Sequence, residues 1–227
     1  MKKQIIVTLF LLVSSVIASA EQNNTALNFQ SKEADLEIRQ QLQQQIADMT
    51  KHPEAKAKLI ANAKRRIILC AACHGKDGNS VVAYAPSLAG QNPVYLVDQF
   101  MRFGDGRRND FTMSSLAKSI KNEDKIRLAI YYSEQTMKPI GGGQQELIPH
   151  GKQQYQILCA ECHGKDGKGA EQGYARLAGQ RPEYIVKMLK EFKNQTGRRS
   201  NPWMTARANG LDEKDMQGIA AYLANIE

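Results

Sequence analysis

A five-residue pattern, C-x-x-C-H, occurs twice in this chain and uses all four of its cysteines. On a helix, two thiols three residues apart lie on one face, so both can reach the vinyl groups of one porphyrin. The following histidine then offers an imidazole nitrogen to the iron. The pattern therefore predicts two covalently bound haem c groups. The predicted attachment residues are Cys70, Cys73, Cys159 and Cys162, and the predicted axial histidines are His74 and His163.

Three other chemistries of paired cysteines fit less well. Structural disulfides, a thioredoxin-like redox site and a zinc site all use such pairs. Zinc ribbons place their two pairs about 15 to 20 residues apart, whereas Cys159 follows Cys73 by 86 positions. None of the three requires a histidine directly after each pair, so haem attachment is favoured.

The N-terminus has the three parts of a secretory signal peptide. Met1-Lys2-Lys3 is basic, residues 5–17 are largely apolar, and Ala18-Ser19-Ala20 is a small-residue cleavage site. The apolar run is shorter than the ~20 residues of a membrane-spanning helix, so cleavage after Ala20 is favoured over an uncleaved anchor. We therefore expect an exported protein located in the periplasm.

The chain is basic, with a formal net charge of +8, or +6 once Lys2 and Lys3 are removed. Basic proteins bind nucleic acids, acidic proteins or anionic lipids. Export and the lack of a nucleic-acid motif argue against nucleic acid. Docking to an acidic partner or to an anionic membrane surface is favoured, and the charge alone does not choose between them.

The second half of the chain repeats the first. Cys70 corresponds to Cys159 at an interval of 89, and Leu-Ala-Gly-Gln at 88–91 returns at 177–180. After a two-residue insertion the interval becomes 91, so the Gly-Arg-Arg segment at 106–108 matches that at 197–199. A period this long indicates a duplicated structural unit. We therefore predict an all-α fold with two tandem domains and one haem in each.

The predicted domain boundaries follow from composition. Pro139 and three consecutive glycines at 141–143 indicate a linker, and 227 residues, 42% of them hydrophobic, can bury two small cores. The predicted segments are a signal peptide at 1–20, an N-terminal arm at 21–52, domain 1 at 53–137, a linker at 138–148 and domain 2 at 149–227.

Several helices are predicted from caps and apolar spacing. Leu36, Leu42, Ile46 and Met49 indicate an amphipathic arm helix, interpreted as a packed or solvated arm rather than a dimerisation helix. One helix is expected to run from Pro53 into Cys73, and a loop at 104–106. Further helices are expected to start at Asn92-Pro93, to cover residues 122–132, and to start at Asp212 with a capping box to Asp215.

The second axial position of each iron is predicted from the repeat. Of the eight methionines, only Met113 and Met204 correspond to each other, and each follows a Gly-Arg-Arg segment in a predicted loop. His52 and His150 do not occupy equivalent positions, which disfavours ligation by two histidines. A thioether favours ferrous iron and raises the reduction potential. The predicted axial pairs are therefore His74 with Met113 and His163 with Met204.

The two motifs, the Leu-Ala-Gly-Gln segments, the methionine loops and the terminal helices with Tyr131 and Tyr222 together resemble cytochrome c4, a family of dihaem class I cytochromes c. The resemblance covers about residues 60–227. It implies two cytochrome c domains related by an approximate two-fold axis, with haem propionates meeting between them. It also implies a periplasmic electron carrier, often loosely membrane-associated, that delivers electrons towards terminal oxidases.

Several further residues have expected roles in the haem pockets, the first of them implied by the resemblance. The carbonyl of Pro86 is expected to accept a hydrogen bond from the haem histidine, and Ala175 stands at the equivalent place in domain 2. Residues expected to bind propionates, or else to form solvated basic loops, are Arg107, Arg108, Arg198 and Arg199. Tyr95, Tyr184 and Trp203 are expected to pack in or near the haem pockets. The long arm before about residue 58 has no counterpart in the family.

Three functions remain open. The first is a respiratory electron carrier without substrate chemistry, with a quinol-cytochrome c reductase or dehydrogenase as donor and a terminal oxidase as acceptor. The second is the cytochrome subunit of a dehydrogenase of the flavocytochrome c type, which has the same architecture. The third is a dihaem peroxidase, which needs an open iron position. The repeated methionine pair argues against the peroxidase.

Overall fold

The computed structural model of the protein describes residues 36–170, 172–196 and 198–227. The predicted signal peptide and residues 21–35 of the arm lie outside these ranges. Contacts divide the chain after Gln41, and the unit from Leu42 to Glu227 contains both C-x-x-C-H segments. The described ranges are helical without a β-strand, which confirms the all-α prediction. No helix within them is both long and apolar enough for a membrane crossing.

The helices repeat in the same order in each half of the chain. Helix α1 covers residues 36–50. The first repeat continues with α2 (Pro53–Lys64), α3 (Ile68–His74), α4 (Pro93–Asp105), α5 (Phe111–Ser119) and α6 (Asn122–Ser133). After a 3-10 helix, Gln145–Leu147, the second repeat has α7 (Ile148–Leu158), α8 (Ala160–His163), α9 (Pro182–Asn194), α10 (Pro202–Asn209) and α11 (Glu213–Ala224). Each C-x-x-C-H segment therefore ends a short helix at an equivalent place.

Each repeat has its own hydrophobic core. In the first, Val94 of α4 and Leu128 of α6 are buried together with Leu42 and Ile46 of the arm. In the second, Tyr155 of α7 packs with side chains of α9 and α11. Leu42 and Ile46 are each only 8% exposed, so this part of α1 is packed, as the interpretation of a packed arm requires.

The first and last helices of the second repeat cross at very short range. A Cβ atom on Gly151 of α7 would lie 1.8 Å from the carbonyl oxygen of Gly218 on α11. No side chain fits at that distance, so the crossing requires glycine at position 151. This contact brings the segment before the second C-x-x-C-H motif against the C-terminal helix.

Two helix predictions were wrong in detail. The helix expected from Pro53 to Cys73 is interrupted at residues 65–67, where the nitrogens of Arg66 and Ile67 both donate to the Ala63 carbonyl oxygen. The interruption lets Ile67 pack on the core. The loop expected at 104–106 is instead the end of α4, which ends at Gly106 with a φ of 86°. Burial of neighbouring side chains such as Phe103 offsets the low helix propensity of a glycine at 104.

The predicted caps at other helix ends are confirmed. The Asn92 side chain accepts a hydrogen bond from the Tyr95 nitrogen at the start of α4. Asp212 and Asp215 form the predicted capping box at the start of α11. Gly75 ends α3 with a φ of 76°, and a Cβ there would lie 2.2 Å from the Asn79 carbonyl oxygen. The chain can therefore turn sharply just after His74.

Candidate functional site

The two motif histidines are held by the same kind of hydrogen bond. The Nδ1 atom of His74 lies 2.8 Å from the Pro86 carbonyl oxygen, and that of His163 lies 2.9 Å from the Ala175 carbonyl oxygen. A carbonyl can only accept, so Nδ1 donates in both rings. In its neutral form each ring then has its lone pair on Nε2, the atom available as a metal ligand.

Alanine at position 175 preserves the hydrogen bond that proline provides in the first repeat. The Ala175 residue is 7% exposed, and its bond to His163 is as short as that of Pro86 to His74, within 0.1 Å. The surrounding fold thus places the carbonyl without the fixed φ of a proline. Burial also lowers the pKa of His74, which keeps its imidazole neutral.

The first cysteine of each motif differs from the reactive thiol of a thioredoxin-like site. All four cysteines are unpaired. Burial raises the pKa of Cys70, and it raises the pKa of Cys159 to about 11, whereas a thioredoxin-like site needs a lowered thiol pKa. Nowhere in the described part of the chain do three histidine, cysteine or carboxylate residues gather as metal ligands. The C-x-x-C-H pattern therefore remains the observation that points to thioether attachment of a porphyrin.

Met113 and Met204 occupy equivalent first turns of short helices rather than the loops that were predicted. The Asp110 carboxylate caps α5 and accepts from the Met113 nitrogen at 3.0 Å. The Asn201 amide caps α10 and accepts from the Met204 nitrogen, also at 3.0 Å. Each methionine is therefore fixed at its backbone, with its side chain partly buried. The thioethers, the Nε2 atoms and the thiols together form a donor set that fits two c-type haems.

An arginine of each repeat reaches a tyrosine of the other. The Arg108 guanidinium donates to the Tyr184 hydroxyl at 2.9 Å, and the Arg199 guanidinium donates to the Tyr95 hydroxyl at 2.7 Å. Backbone atoms of Arg108 and Arg199 also form an isolated antiparallel bridge. Since both residue pairs correspond in the repeat, the two halves meet around a local two-fold relationship.

Arg108 and Arg199 place two positive charges at this junction. No carboxylate among the described residues forms an ion pair with either of them. Arg108 also donates to the Gln99 side chain at 2.7 Å, and Arg199 to the Met188 sulfur at 3.0 Å. Burial raises the pKa of Tyr184, but the two guanidinium groups outweigh it and lower that pKa below its ordinary value. Two partly buried cations with neutral partners form a site suited to carboxylates such as haem propionates.

The other predicted pocket residues have different surroundings. Arg107 forms an ion pair with Asp105 at 2.6 Å, with both side chains more than 40% exposed. The Arg198 carbonyl oxygen accepts from the Asn109 nitrogen across the junction. Trp203, in the first turn of α10, is 62% exposed. His52 is exposed before α2, and His150 bonds to Asp215 at 2.7 Å, so these two histidines do not form an equivalent pair.

The glutamines of the Leu-Ala-Gly-Gln segments connect the repeats, a role that sequence reasoning missed. The Gln91 amide bonds to the backbone of Arg176, and the Gln180 amide bonds to the backbone of Ser87. Both glutamines are buried, at 4% and 2% exposure. Their recurrence at an interval of 89 was the available indication, because a repeated polar residue inside a buried segment needs a polar partner.

Comparisons with known proteins agree with this arrangement. The family described as Cytochrome c matches residues 148–227. Cytochrome c4 of Pseudomonas aeruginosa is 33% identical over 174 residues, covering 73% of this chain and 81% of the relative. A thiosulfate dehydrogenase electron acceptor of Thiomonas intermedia is 33% identical over 171 residues, covering 68% and 77%.

A solved structure extends the likeness to the fold. Reduced recombinant cytochrome c4 from Pseudomonas stutzeri superposes with a TM-score of 0.68 and 27% identity, covering 74% of this chain and 98% of that one. The two helical repeats of this chain are thus two class I cytochrome c domains, and its cofactors are two covalently bound haem c groups. The chain therefore belongs to the cytochrome c4 family of electron carriers.

Proposed function

We propose that each domain holds one haem through its motif and the equivalent methionine. The domain 1 residues are Cys70, Cys73, His74 and Met113. The domain 2 residues are Cys159, Cys162, His163 and Met204. The single observation that carries this proposal is its two-fold repetition, in which His–carbonyl bonds of 2.8 and 2.9 Å recur together with two capped methionines. When bound, the haem groups supply the reversible one-electron change of iron.

Arg108 and Arg199 are the residues proposed to bind the propionates, with Tyr95 and Tyr184 holding their guanidinium groups in place. The neutral partners of both arginines support this role, because carboxylates would balance two positive charges. Arg107 is better explained by its exposed pair with Asp105. With the propionates at the junction, the two haem groups would meet where the two domains are most firmly joined.

The proposed function is a periplasmic dihaem carrier that moves electrons in a respiratory chain. A quinol-cytochrome c reductase or a dehydrogenase would be the donor, and a terminal oxidase the acceptor. A histidine and a thioether on each iron would leave no open position, which supports electron transfer over peroxidase chemistry. The Pro86 and Ala175 carbonyl groups orient the two histidines, and Gln91 and Gln180 join the two domains through hydrogen bonds.

A second candidate is the electron acceptor of a dedicated dehydrogenase. The observation that favours it is the Thiomonas intermedia relative, which is named as a thiosulfate dehydrogenase electron acceptor. The flavocytochrome c type of subunit belongs to the same class of function. Purification of the native protein under mild conditions distinguishes these functions, because a dehydrogenase would copurify in stoichiometric amount with its own subunit but not with a general carrier.

The deciding experiment is an optical spectrum of the purified holoprotein in the ferric and ferrous states, with and without carbon monoxide. Two closed His–Met sites give the weak long-wavelength Met–iron band in the ferric state and a ferrous spectrum that carbon monoxide does not change. Rapid carbon monoxide binding at one haem would show an open position, would remove Met113 or Met204 from the ligand set, and would favour an enzymatic or ligand-sensing role.

A further inference from the structure

The interruption between α2 and α3 carries a basic segment directly before the first haem-attachment helix. Lys64, Arg65 and Arg66 are consecutive and exposed. Two hydrogen bonds hold the turn in place, because the nitrogens of Arg66 and Ile67 both donate to the carbonyl oxygen of the buried Ala63. Cys70 follows only a few residues later. Three positive charges are thus held at a defined place beside the segment that attaches a haem.

The second domain lacks this feature. The residues equivalent to 64–66 are Gln153, Gln154 and Tyr155, which lie within the uninterrupted helix α7. Tyr155 is fully buried and donates to the Gly164 carbonyl oxygen at 2.6 Å. Tyr155 is therefore part of the core in domain 2, whereas Arg66, at the equivalent position of domain 1, is an exposed cation.

Two of the three charges are available to a partner. Arg66 pairs with Asp124 at 3.2 Å, which ties the turn to α6. Arg65 donates to the neutral Asn62 amide at 2.5 Å. No carboxylate among the described residues forms an ion pair with Lys64 or Arg65. No ion pair within the protein neutralises these two cations, so they can attract an anionic partner over about one Debye length, which is about 10 Å at 0.1 M salt.

Apolar side chains lie next to the free charges. Ile68 is 77% exposed and Leu69 is 55% exposed, both in the first turn of α3. Transient docking between redox proteins needs a small apolar contact and complementary charges that steer the encounter. The four side chains Lys64, Arg65, Ile68 and Leu69, which we call the α2–α3 face, combine both.

We propose that the α2–α3 face is the docking surface for an acidic redox protein, so that electrons enter or leave the molecule through the domain 1 haem. The proposal rests on the proposed function. It also specifies that domain 1 binds the partner and that the partner has an acidic surface. The domain 2 residues equivalent to Lys64 and Arg65 are the uncharged Gln153 and Gln154, so the two domains differ at these positions of the repeat.

The test uses the isotope-labelled ferrous holoprotein and poly-L-glutamate as an acidic probe. Amide chemical shifts map where the probe binds, and their concentration dependence gives its Kd. The test variant, Lys64→Gln with Arg65→Gln, introduces the residues that domain 2 has at the equivalent positions. The control variant, Lys152→Gln with Lys165→Gln, removes two exposed lysines of domain 2 near its own motif.

In the wild type, we expect shift changes to cluster at residues 62–69. At about 10 mM salt the test variant should raise the Kd of the probe at least about threefold, and the difference should vanish at about 0.5 M salt because the charges are then screened. The control variant should bind as the wild type does. Oxidation of the ferrous protein by hexacyanoferrate(III), an anionic oxidant, should slow in one kinetic phase for the test variant alone.

Two results would overturn the proposal. One is clustering of the shift changes on domain 2, and the other is an equal loss of affinity in both variants, which would show dependence on total charge only. Neither result affects the assignment of the haem ligands, since the carbon monoxide experiment decides that separately. Unchanged optical spectra of both variants show that the haem groups and the fold are intact.

Discussion

The side-chain amide of Gln91 pairs with the backbone of Arg176 in the other domain. Its nitrogen donates to the Arg176 carbonyl oxygen at 2.9 Å, and its oxygen accepts from the Arg176 nitrogen at 2.6 Å. Gln180 forms the same two bonds with Ser87, at 3.0 and 2.8 Å. The four bonds form one symmetric set, buried at Ser87 and partly buried at Arg176, so relative motion of the domains would break several at once.

Gln91→Met should loosen this junction. Methionine has nearly the same volume, but it removes the Gln91 partner of the Arg176 nitrogen, the Arg176 carbonyl and the Asn92 nitrogen, at a cost of up to about 1–3 kcal/mol for each group that stays buried without a partner. We expect domain unfolding to lose cooperativity in urea, and the two haem potentials to move closer together as the domains separate. Gln145→Met, which removes an exposed bond to the linker, serves as the control and should change neither. A variant that unfolds in one unaltered transition would show that the glutamines do not hold the domains together.

The repeat made much of this architecture predictable from sequence. Local chemistry determines the motif pairs, the capping residues and the correspondence of Met113 with Met204. These features can therefore be predicted from the spacing of residues along the chain. The pairing of Arg108 with Tyr184 and of Gln91 with Arg176 does not, because it depends on how two domains face each other. The interruption after Lys64 was missed for a related reason, since helix propensity continues through residues 65–67 and only the packing of Ile67 shows the turn.

Met113→Ala should open the domain 1 iron position. Removing the thioether should halve the ferric Met–iron band and let one haem per molecule bind carbon monoxide, and Met204→Ala should do the same for domain 2. Met101→Ala is the matched control, because Met101 lies on α4, is 37% exposed and corresponds to Phe192. Optical titration with carbon monoxide measures all three variants. Wild-type behaviour of Met113→Ala would remove that residue from the ligand set.

Ala175→Pro should be tolerated and slightly stabilising. None of the described residues accepts a hydrogen bond from the Ala175 nitrogen, so the change to proline breaks no hydrogen bond there. The fixed φ of proline reduces the conformational entropy of the unfolded chain, which stabilises the fold by about 0.4–1 kcal/mol at compatible sites. The carbonyl that holds His163 remains. We expect a small rise in the unfolding midpoint of domain 2 and an unchanged ferric spectrum. A lower midpoint would show that the backbone at 175 differs from that at Pro86.

Asp215→Asn should remove a pH-dependent part of domain 2 stability. Burial raises the Asp215 pKa, but hydrogen bonds from the Asp212 backbone nitrogen and the His150 side chain together lower it by more, so the net shift is downward. A carboxyl with a lowered folded pKa stabilises the fold above its unfolded pKa, about 3.9 for aspartate, and loses that contribution as the pH falls through the folded value. In urea titrations, the difference between wild type and variant should be largest above pH ~5 and should shrink towards pH ~2. The exposed Glu146→Gln control should show no such trend.

Arg108→Gln should lower the reduction potential of one haem. A nearby cation favours the ferrous state, because ferric iron carries one more positive charge, so removing the guanidinium should favour oxidation. We expect a fall of roughly 30–60 mV, equivalent to about 0.7–1.4 kcal/mol for a one-electron couple, and a similar effect on one haem for Arg199→Gln. Arg107→Gln removes the same charge one residue away, where the guanidinium pairs with Asp105 in solvent, and should shift neither potential by more than a few mV. Spectroelectrochemical titration resolves these values. Equal shifts in the Arg107 and Arg108 variants would mean that net charge alone acts, and that the junction arginines are not the propionate ligands.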